Sequence, residues 1–363
     1  MNTFISIKYM KRTVSKALIL LSFIPILWGC ETKNNIPTAK LIVNKPVGIA
    51  FPPYGTISAL EAAEPYLKEL QIDRIKMSVN WKFIEKTQGN YSWSNLDYRI
   101  SFYNERQIKV FITIDTQLPD YLSGNYSEIS GNELTEFTTF IRAFVERYHN
   151  KIYLLQVGNE WDGWGGFVGS AEDYTHINNV LYTEVKAVTN TLPVVLGGIN
   201  AYLPYQTIYV NNQNIHLGNR QLYKHEQFLL NYKIEAAENK QKGIDERVTY
   251  VFRNANYDMV DIHLYDEAEL FSDYIATVKQ LTDKPLIVSE FGAPNPQYEL
   301  YNESYQATRL IAIWQSLNSL DVEEVYHFSL IDSEDAYHCN NGLLSKKKKK
   351  KTAYYLYQNR TDN

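Results

Sequence analysis

The chain has 363 residues, 45% of them hydrophobic and 21% charged, with a formal net charge of −5. That mixture excludes a disordered or collagen-like chain, and two cysteines exclude a disulfide framework or a multi-cysteine zinc centre. Net acidity argues against a nucleic-acid partner, because phosphate binding needs a clustered positive surface. Aromatic content is high at 14%, with 29 tyrosines, enough to serve a large core and a lined cleft together.

Residues 1–30 carry Lys8, Lys11, Arg12 and Lys16 and no acid, and an apolar run from Ala17 to Gly29 contains only Ser22 as a polar residue. Spanning a bilayer needs about 20 residues, so this shorter run behind a basic start is a secretory signal. It ends Leu27-Trp28-Gly29-Cys30. The ending resembles the bacterial lipoprotein lipobox, although Trp28 stands where a small residue is usual. The resemblance implies a signal over 1–29, lipidation of Cys30 and a flexible tether over 30–44. It also implies a lipid-anchored place in the bacterial cell envelope, facing the periplasm or the exterior. Loss of four positive charges takes the net charge from −5 to −9. Such acidity disfavours adhesion of the folded part to an anionic membrane, leaving the lipid as the only membrane contact. Cys339 is then without an intramolecular partner.

From residue 45 to 363 the chain reads as one domain. Apolar runs centre on Gly48–Phe51, Ile75–Val79, Val110–Ile114, Tyr153–Val157, Val194–Leu196, Met259–Ile262, Leu286–Val288 and Val325–Phe328. Short continuous runs predict strands buried on both faces, as in a parallel sheet. The segments between them have helical periodicity. Leu134, Phe137, Phe140, Ile141, Phe144, Val145 and Tyr148 form one stripe over Asn132–His149. Ser94 and Ser170, each followed by an Asp three residues later, predict N-caps. Eight strands alternating with helices predict a single (β/α)₈ TIM barrel of the α/β class, with an insertion between strands five and six. Within that insertion, Asn200 to Asp258, a polar loop to about residue 220 precedes a helix. The six lysines Lys346–Lys351 predict a solvated hairpin between the last strand and the last helix.

In such a barrel chemistry sits at the C-terminal strand ends. Strand four ends in Asn159-Glu160, strand six in His263-Leu264-Tyr265, and strand seven in Glu290-Phe291-Gly292. Asn-Glu alone carries no information, since it recurs at Asn104-Glu105, Asn132-Glu133 and Asn302-Glu303. Placement at the mouth opposite a second carboxylate is what singles out Glu160. Two facing carboxylates are the equipment of glycoside hydrolysis.

These strand ends resemble clan A of the glycoside hydrolases, the retaining (β/α)₈ superfamily of cellulases, mannanases, β-xylosidases and β-galactosidases. Trp81, Ile84-Glu85, Gly89, Tyr91, Trp93 and Leu96-Asp97 are similar to a segment after strand two in the β-xylosidase and β-galactosidase members. Gly342-Leu343-Leu344 and Ala353-Tyr354-Tyr355 are similar to the clan's final strand-to-helix segment, so the resemblance covers roughly residues 45–358. It implies that Glu160 is the general acid/base and Glu290 the nucleophile, that Asn159 binds the sugar 2-hydroxyl, and that Tyr265 hydrogen-bonds Glu290. It further places His263 on the same wall. The implied substrate is a β-linked glycan, and no cofactor or metal is needed.

Two positions depart from the clan pattern. Lys76 stands where an Arg is common, keeping the charge without the planar fork. On strand eight, Tyr326-His327-Phe328 replaces a stretch with a Trp flooring the sugar site, so either His327 takes that place or the floor is different. Trp161 and Trp164 beside the acid/base read as stacking platforms or as loop packing; Trp81, Trp93 and Glu85 read as loop structure. Asp115, Gln117 and Tyr121 after strand three are weaker cleft candidates. The competing function is a retired barrel that binds surface glycans; a transglycosylase differs only in the acceptor.

Overall fold

The computed structural model describes residues 40–53, 55–126, 128–162, 167, 169–200, 244–265, 268–293, 301–333 and 340–362. Eight parallel strands close into a barrel: β1 (Val47–Ala50), β2 (Arg74–Asn80), β3 (Lys109–Asp115), β4 (Leu154–Val157), β5 (Val194–Ile199), β6 (Met259–Tyr265), β7 (Leu286–Gly292) and β8 (Val325–His327). Each pairs with its sequence neighbours, and β8 closes on β1. Among the described residues the outer layer includes α1 (Ile57–Glu69), α2 (Ser94–Asn104), α3 (Gly131–Tyr148), α4 (Ala171–Val188), α5 (Ile244–Asn254), α6 (Phe271–Lys279), α7 (Glu303–Leu317) and α8 (Thr352–Gln358). The expected (β/α)₈ barrel is therefore the observed fold.

Side-chain alternation sorts the core into two parts. Ala50, Phe111, Leu154, Val195, Ile287 and Tyr326 pack together inside the barrel. Ile75, Met77, Val79, Ile112, Val157, Val260 and Ile262 belong to the larger cluster shared with the helices. β2 shows the pattern most plainly: apolar Ile75, Met77 and Val79 alternate with Arg74, Lys76 and Ser78. Arg74, nearest the strand start, pairs with buried Glu324. Residues 35–363 form one compact unit with its own core.

Helix starts follow their caps where a cap exists. Ser170 and Asp173 form a reciprocal capping box at α4. Ser94 is not the expected cap: α2 begins at Ser94 itself, after Trp93. The Asp97 carboxylate instead accepts from Arg147 and from the Tyr148 hydroxyl on α3, a lateral tie between helices. Trp81 donates to Glu85, and Trp93 stacks on Phe140, so both belong to loop and helix packing.

Two boundaries shift. Ile42–Val43 pairs in parallel with Thr361–Asp362, and Leu41 and Val43 are buried, so the fold starts before the expected tether ends at residue 44. The lysine run is only partly solvated: Lys346–Lys349 are exposed, whereas Lys351 is 2% exposed and donates to Asp332. Of the helix expected from about residue 220, the part Ile244–Asn254 is described, as α5; residues 201–243 of the insertion, Cys30, Trp164 and Cys339 lie outside the described residues.

Candidate active site

The mouth of the barrel gathers polar side chains from β2, β4, β6 and β7. Lys76, from β2, is completely buried and extends its ammonium to Ser289 Oγ (2.6 Å), Asn159 Oδ1 (3.0 Å), Glu290 Oε1 (3.2 Å) and Asp261 Oδ2 (3.4 Å). Phe51 and Phe111 bracket the same ammonium, at 5.3 Å and 5.7 Å from their ring centroids. From β6, the Tyr265 hydroxyl donates to Glu290 Oε2 at 2.6 Å. The His263 Nδ1 lies 2.8 Å from Glu160 Oε1. One oxygen of Glu160, one of Glu290 and a ring nitrogen of His263 all lie within 4.8 Å of one another.

Backbone irregularities aim these groups. On β7, Val288 pairs with Ile262 and Glu290 with His263, so β7 spends one extra residue against β6. A bulge of this kind breaks strict alternation. It lets the consecutive side chains of Ser289 and Glu290 both reach Lys76. After β4 the chain turns through Gly158 at φ 71° and Glu160 at φ 50°. A non-glycine residue in that left-handed region costs about 1–3 kcal/mol and marks a position set by its surroundings. Gly198 on β5 answers a different need: a Cβ there would come 2.3 Å from His263 Nε2. Glycine is the residue that leaves room for the imidazole.

The electrostatics hold Glu290 as an anion. Burial pushes Glu290 toward its neutral form, but His263, Lys76 and the Tyr265 hydroxyl outweigh it and hold the carboxyl below its usual range. Burial likewise pulls His263 down, yet Glu290, Asp261 and Glu160 carry it up to about 10 against the repulsion of Lys76. His263 is thus an imidazolium near neutral pH, donating to Glu160. Asp261 is disfavoured as an anion by its burial but stays below the usual carboxylate range through Lys76, His263 and Ser289. Glu160, His263 and Glu290 are close enough to ligate a single cation. The Lys76 ammonium stands 3.2 Å from Glu290, so a side chain already supplies positive charge beside it.

Glu160 borders a cleft of about 290 Å³ whose wall includes Ser78, Thr113, Asp115, Tyr126 and Asn159. Asp115 accepts from the Tyr126 hydroxyl at 2.9 Å and the Gln117 amide at 2.8 Å. A larger cavity of about 600 Å³, lined by Tyr182 of α4 and by Asn256, Lys279 and Asp283 at and beyond the ends of α5 and α6, touches none of these groups.

Of the residues singled out in the sequence, Glu160, Glu290, Asn159, His263, Tyr265 and Lys76 come together, and two do not join them. Trp161 is fully buried, stacks on Tyr174 with ring centroids 4.5 Å apart and donates to the Gly197 carbonyl at 2.9 Å. Its face is covered by protein, so it is no sugar platform. His327 faces away from the mouth: it contacts the Tyr357 hydroxyl and the Asn341 carbonyl, and burial lowers it to about 3. Alternation explains the error, since Tyr326 points into the barrel and His327 therefore points out. Phe328, one residue on, is half-buried and packs edge-on against Phe51 and Tyr265. Tyr121 is pushed up by burial and by neighbouring Glu85, beside the loop after β2. Asp261 and Ser289 were missing from the sequence reading, although Asp261 lies two residues before His263 on the same strand face.

Two family models match the chain: glycosyl hydrolase family 10 over residues 58–174 and the glycosyl hydrolase catalytic core over residues 211–357. Solved structures with the same fold include a family 39 glycoside hydrolase from Bacteroides cellulosilyticus WH2, 15% identical, with TM-score 0.58 over 87% of this chain. This chain spans 63% of that enzyme's length. A monomeric beta-xylosidase from Caulobacter crescentus CB15 is 15% identical, with TM-score 0.59, over 88% of this chain and 68% of its own. A GH5_18 protein from Streptomyces cattleya, solved with GlcNAc, is 12% identical, with TM-score 0.65, over 87% of this chain and 79% of its own.

Proposed function

Taking as premise a barrel that matches glycosyl hydrolase models in both its halves, we propose that the protein is a retaining glycoside hydrolase acting on a β-linked oligo- or polysaccharide. The observation that carries this reading is the approach of Glu160 and Glu290 oxygens to within 4.8 Å. Retaining enzymes hold their carboxyl groups about 5–5.5 Å apart, whereas inverting enzymes leave about 6.5–9.5 Å for a water.

Glu290 is the nucleophile. It is buried, ionised and held by Tyr265 on Oε2 and Lys76 on Oε1, so its attack on the anomeric carbon needs little reorientation. Glu160, 30% exposed at its side chain, is the acid that protonates the leaving oxygen. His263 occupies Oε1 of Glu160 as a donor, which leaves Oε2 to carry that proton. The bond from Glu290 to the sugar removes one negative charge from the cluster. Glu160, now a carboxylate beside an imidazolium, takes a proton from water, and the hydroxide displaces Glu290 with a second inversion. Lys76 keeps the charge that an Arg would bring and shares it with Asp261 and Ser289.

Asn159, facing the cleft beside Glu160, is placed for a sugar hydroxyl, and Phe328 beside Tyr265 for an apolar sugar face. The test is the configuration of the first product released from a panel of aryl β-glycosides, read by proton NMR. The β-anomer appearing first supports the assignment; the α-anomer overturns it. We further propose that Cys30 is lipidated in a bacterial cell envelope; incorporation of labelled palmitate by the full chain, abolished by Cys30→Ser, tests it separately.

A further inference from the structure

The lysine run has a second aspect that catalysis does not use. Leu344 and Lys350 pair antiparallel across a tight turn, in which the Lys348 amide donates to the Ser345 carbonyl (2.7 Å) and the Ser345 amide to the Lys349 carbonyl (2.9 Å). Both ends are fixed. Leu344 is buried, and the Lys350 ammonium donates to both oxygens of Glu69 at 2.6 Å. Lys351 holds Asp332. Glu69 and Asp332 are thus held by the last two lysines, and Lys346 also acts electrostatically on Asp332. Lys346, Lys347, Lys348 and Lys349 are all exposed, and among the described residues no carboxylate forms an ion pair with Lys347, Lys348 or Lys349. Four like charges on one rigid turn repel each other, and the turn's backbone bonds do not require lysine at these positions.

The turn is linked by contacts to the start of the described chain at Lys40 and Leu41. Glu69 ends α1. The next residues, Leu70 and Gln71, receive Arg360 on their carbonyls, and the following Thr361 amide donates to the Leu41 carbonyl. Lys350, Glu69, Arg360 and Leu41 thus form one connected strip, with exposed Lys40 and Lys68 along it.

We propose that the Lys346–Lys349 turn docks on anionic lipid headgroups, holding the barrel against the membrane to which its N-terminus is tethered. The membrane as occupant rests on the lipid-anchor reading given above; the charge and its rigid display do not. The lipid keeps the barrel near the surface, and each lysine close to anionic headgroups adds about 1 kcal/mol. The chain's overall negative charge does not cancel this. At physiological salt, exposed charges beyond about 8 Å are largely screened.

The barrel unit holds its own core, so the test uses the chain from Glu31, which cannot be lipidated, and vesicles of phosphatidylglycerol with phosphatidylethanolamine. The expected result is co-sedimentation with these vesicles, absence from pure phosphatidylcholine vesicles, and release at about 1 M salt, where the screening length falls to about 3 Å. Replacing Lys346, Lys347, Lys348 and Lys349 together by Gln lowers the affinity at least about tenfold while the circular dichroism melt is unchanged. Equal sedimentation of variant and parent, or none with anionic vesicles at low salt, overturns the proposal. Binding to heparin without binding to vesicles also overturns it and assigns the turn to an acidic polysaccharide. Because this chain lacks Cys30, failure of the anchor reading shows in palmitate labelling and not here.

Discussion

Two fully buried histidines, His263 at the barrel mouth and His327 behind β8, show what each region of the molecule is built for. His263 is surrounded by Glu160, Glu290, Asp261 and Lys76, and it keeps its proton up to about 10. His327 sits among Phe291, Trp314 and Tyr357 and stays neutral, lowered to about 3. Burial disfavours the charged ring in both places. At the mouth, three carboxylates reverse the outcome; behind the strand, no opposing charge does. The mouth stores charge for chemistry, and the aromatic layer stores packing energy.

The largest expected effect breaks the mouth itself. On any glycoside the parent cleaves, Glu160→Gln lowers kcat by about 10²–10⁴-fold, the range of general acid–base catalysis, and Glu290→Gln lowers it further. Glu160→Gln should keep the parent's melting temperature to within a few degrees, in contrast to variants of the packing layer. Steady-state kinetics beside calorimetry checks both statements.

Next come the aromatic rings. Trp161→Ala removes a ring stacked on Tyr174 and destabilises the fold by about 3–5 kcal/mol in urea titration, with KM unchanged in the folded fraction. Phe328→Ala acts in the opposite sense, raising KM several-fold with a smaller loss of stability. Rings that swapped these behaviours would reverse the placement of the sugar-facing wall.

Exchanging the histidines themselves sharpens the contrast. His263→Gln lowers kcat and shifts the pH–rate profile, because the imidazolium beside Glu160 and Glu290 is gone. His327→Gln leaves kcat and the profile alone and costs about 1–3 kcal/mol of stability, since the Tyr357 hydroxyl and the Asn341 carbonyl lose their partner.

The pH trends of stability complete the contrast. Folded His263 titrates at about 10, above the ordinary value of 6.5. Its contribution is therefore complete below about 6.5 and is lost as pH rises toward 10. His327 titrates at about 3, so the unfolded chain binds the extra proton and stability falls as pH drops from about 6.5 toward 3. Relative to the parent, His263→Gln should flatten the alkaline limb of a melting-temperature profile and His327→Gln the acid limb.

The eight strands are legible in the sequence because a parallel barrel demands short apolar runs, and Glu160, His263, Tyr265 and Glu290 are legible because they close those runs. Other features depend on contacts that no spacing encodes. The bulge at Ser289 that admits two consecutive inward side chains is one. The imidazole passing against Gly198 is another, and the stack that removes Trp161 from the cleft is a third. The outward direction of His327 is encoded in its alternation with Tyr326. Lys351 was hidden inside a run of identical neighbours, whose burial differs only because Asp332 and the Asn340 carbonyl wait for one of them.

The division of labour proposed for Glu160 and Glu290 is tested most directly by trapping. Incubation with an activated 2-fluoro β-glycoside, followed by peptide mass spectrometry, should find the sugar esterified to Glu290, with Glu160→Gln slowing its release. A label on any other residue, or turnover through an inverted product with no adduct, would contradict the account.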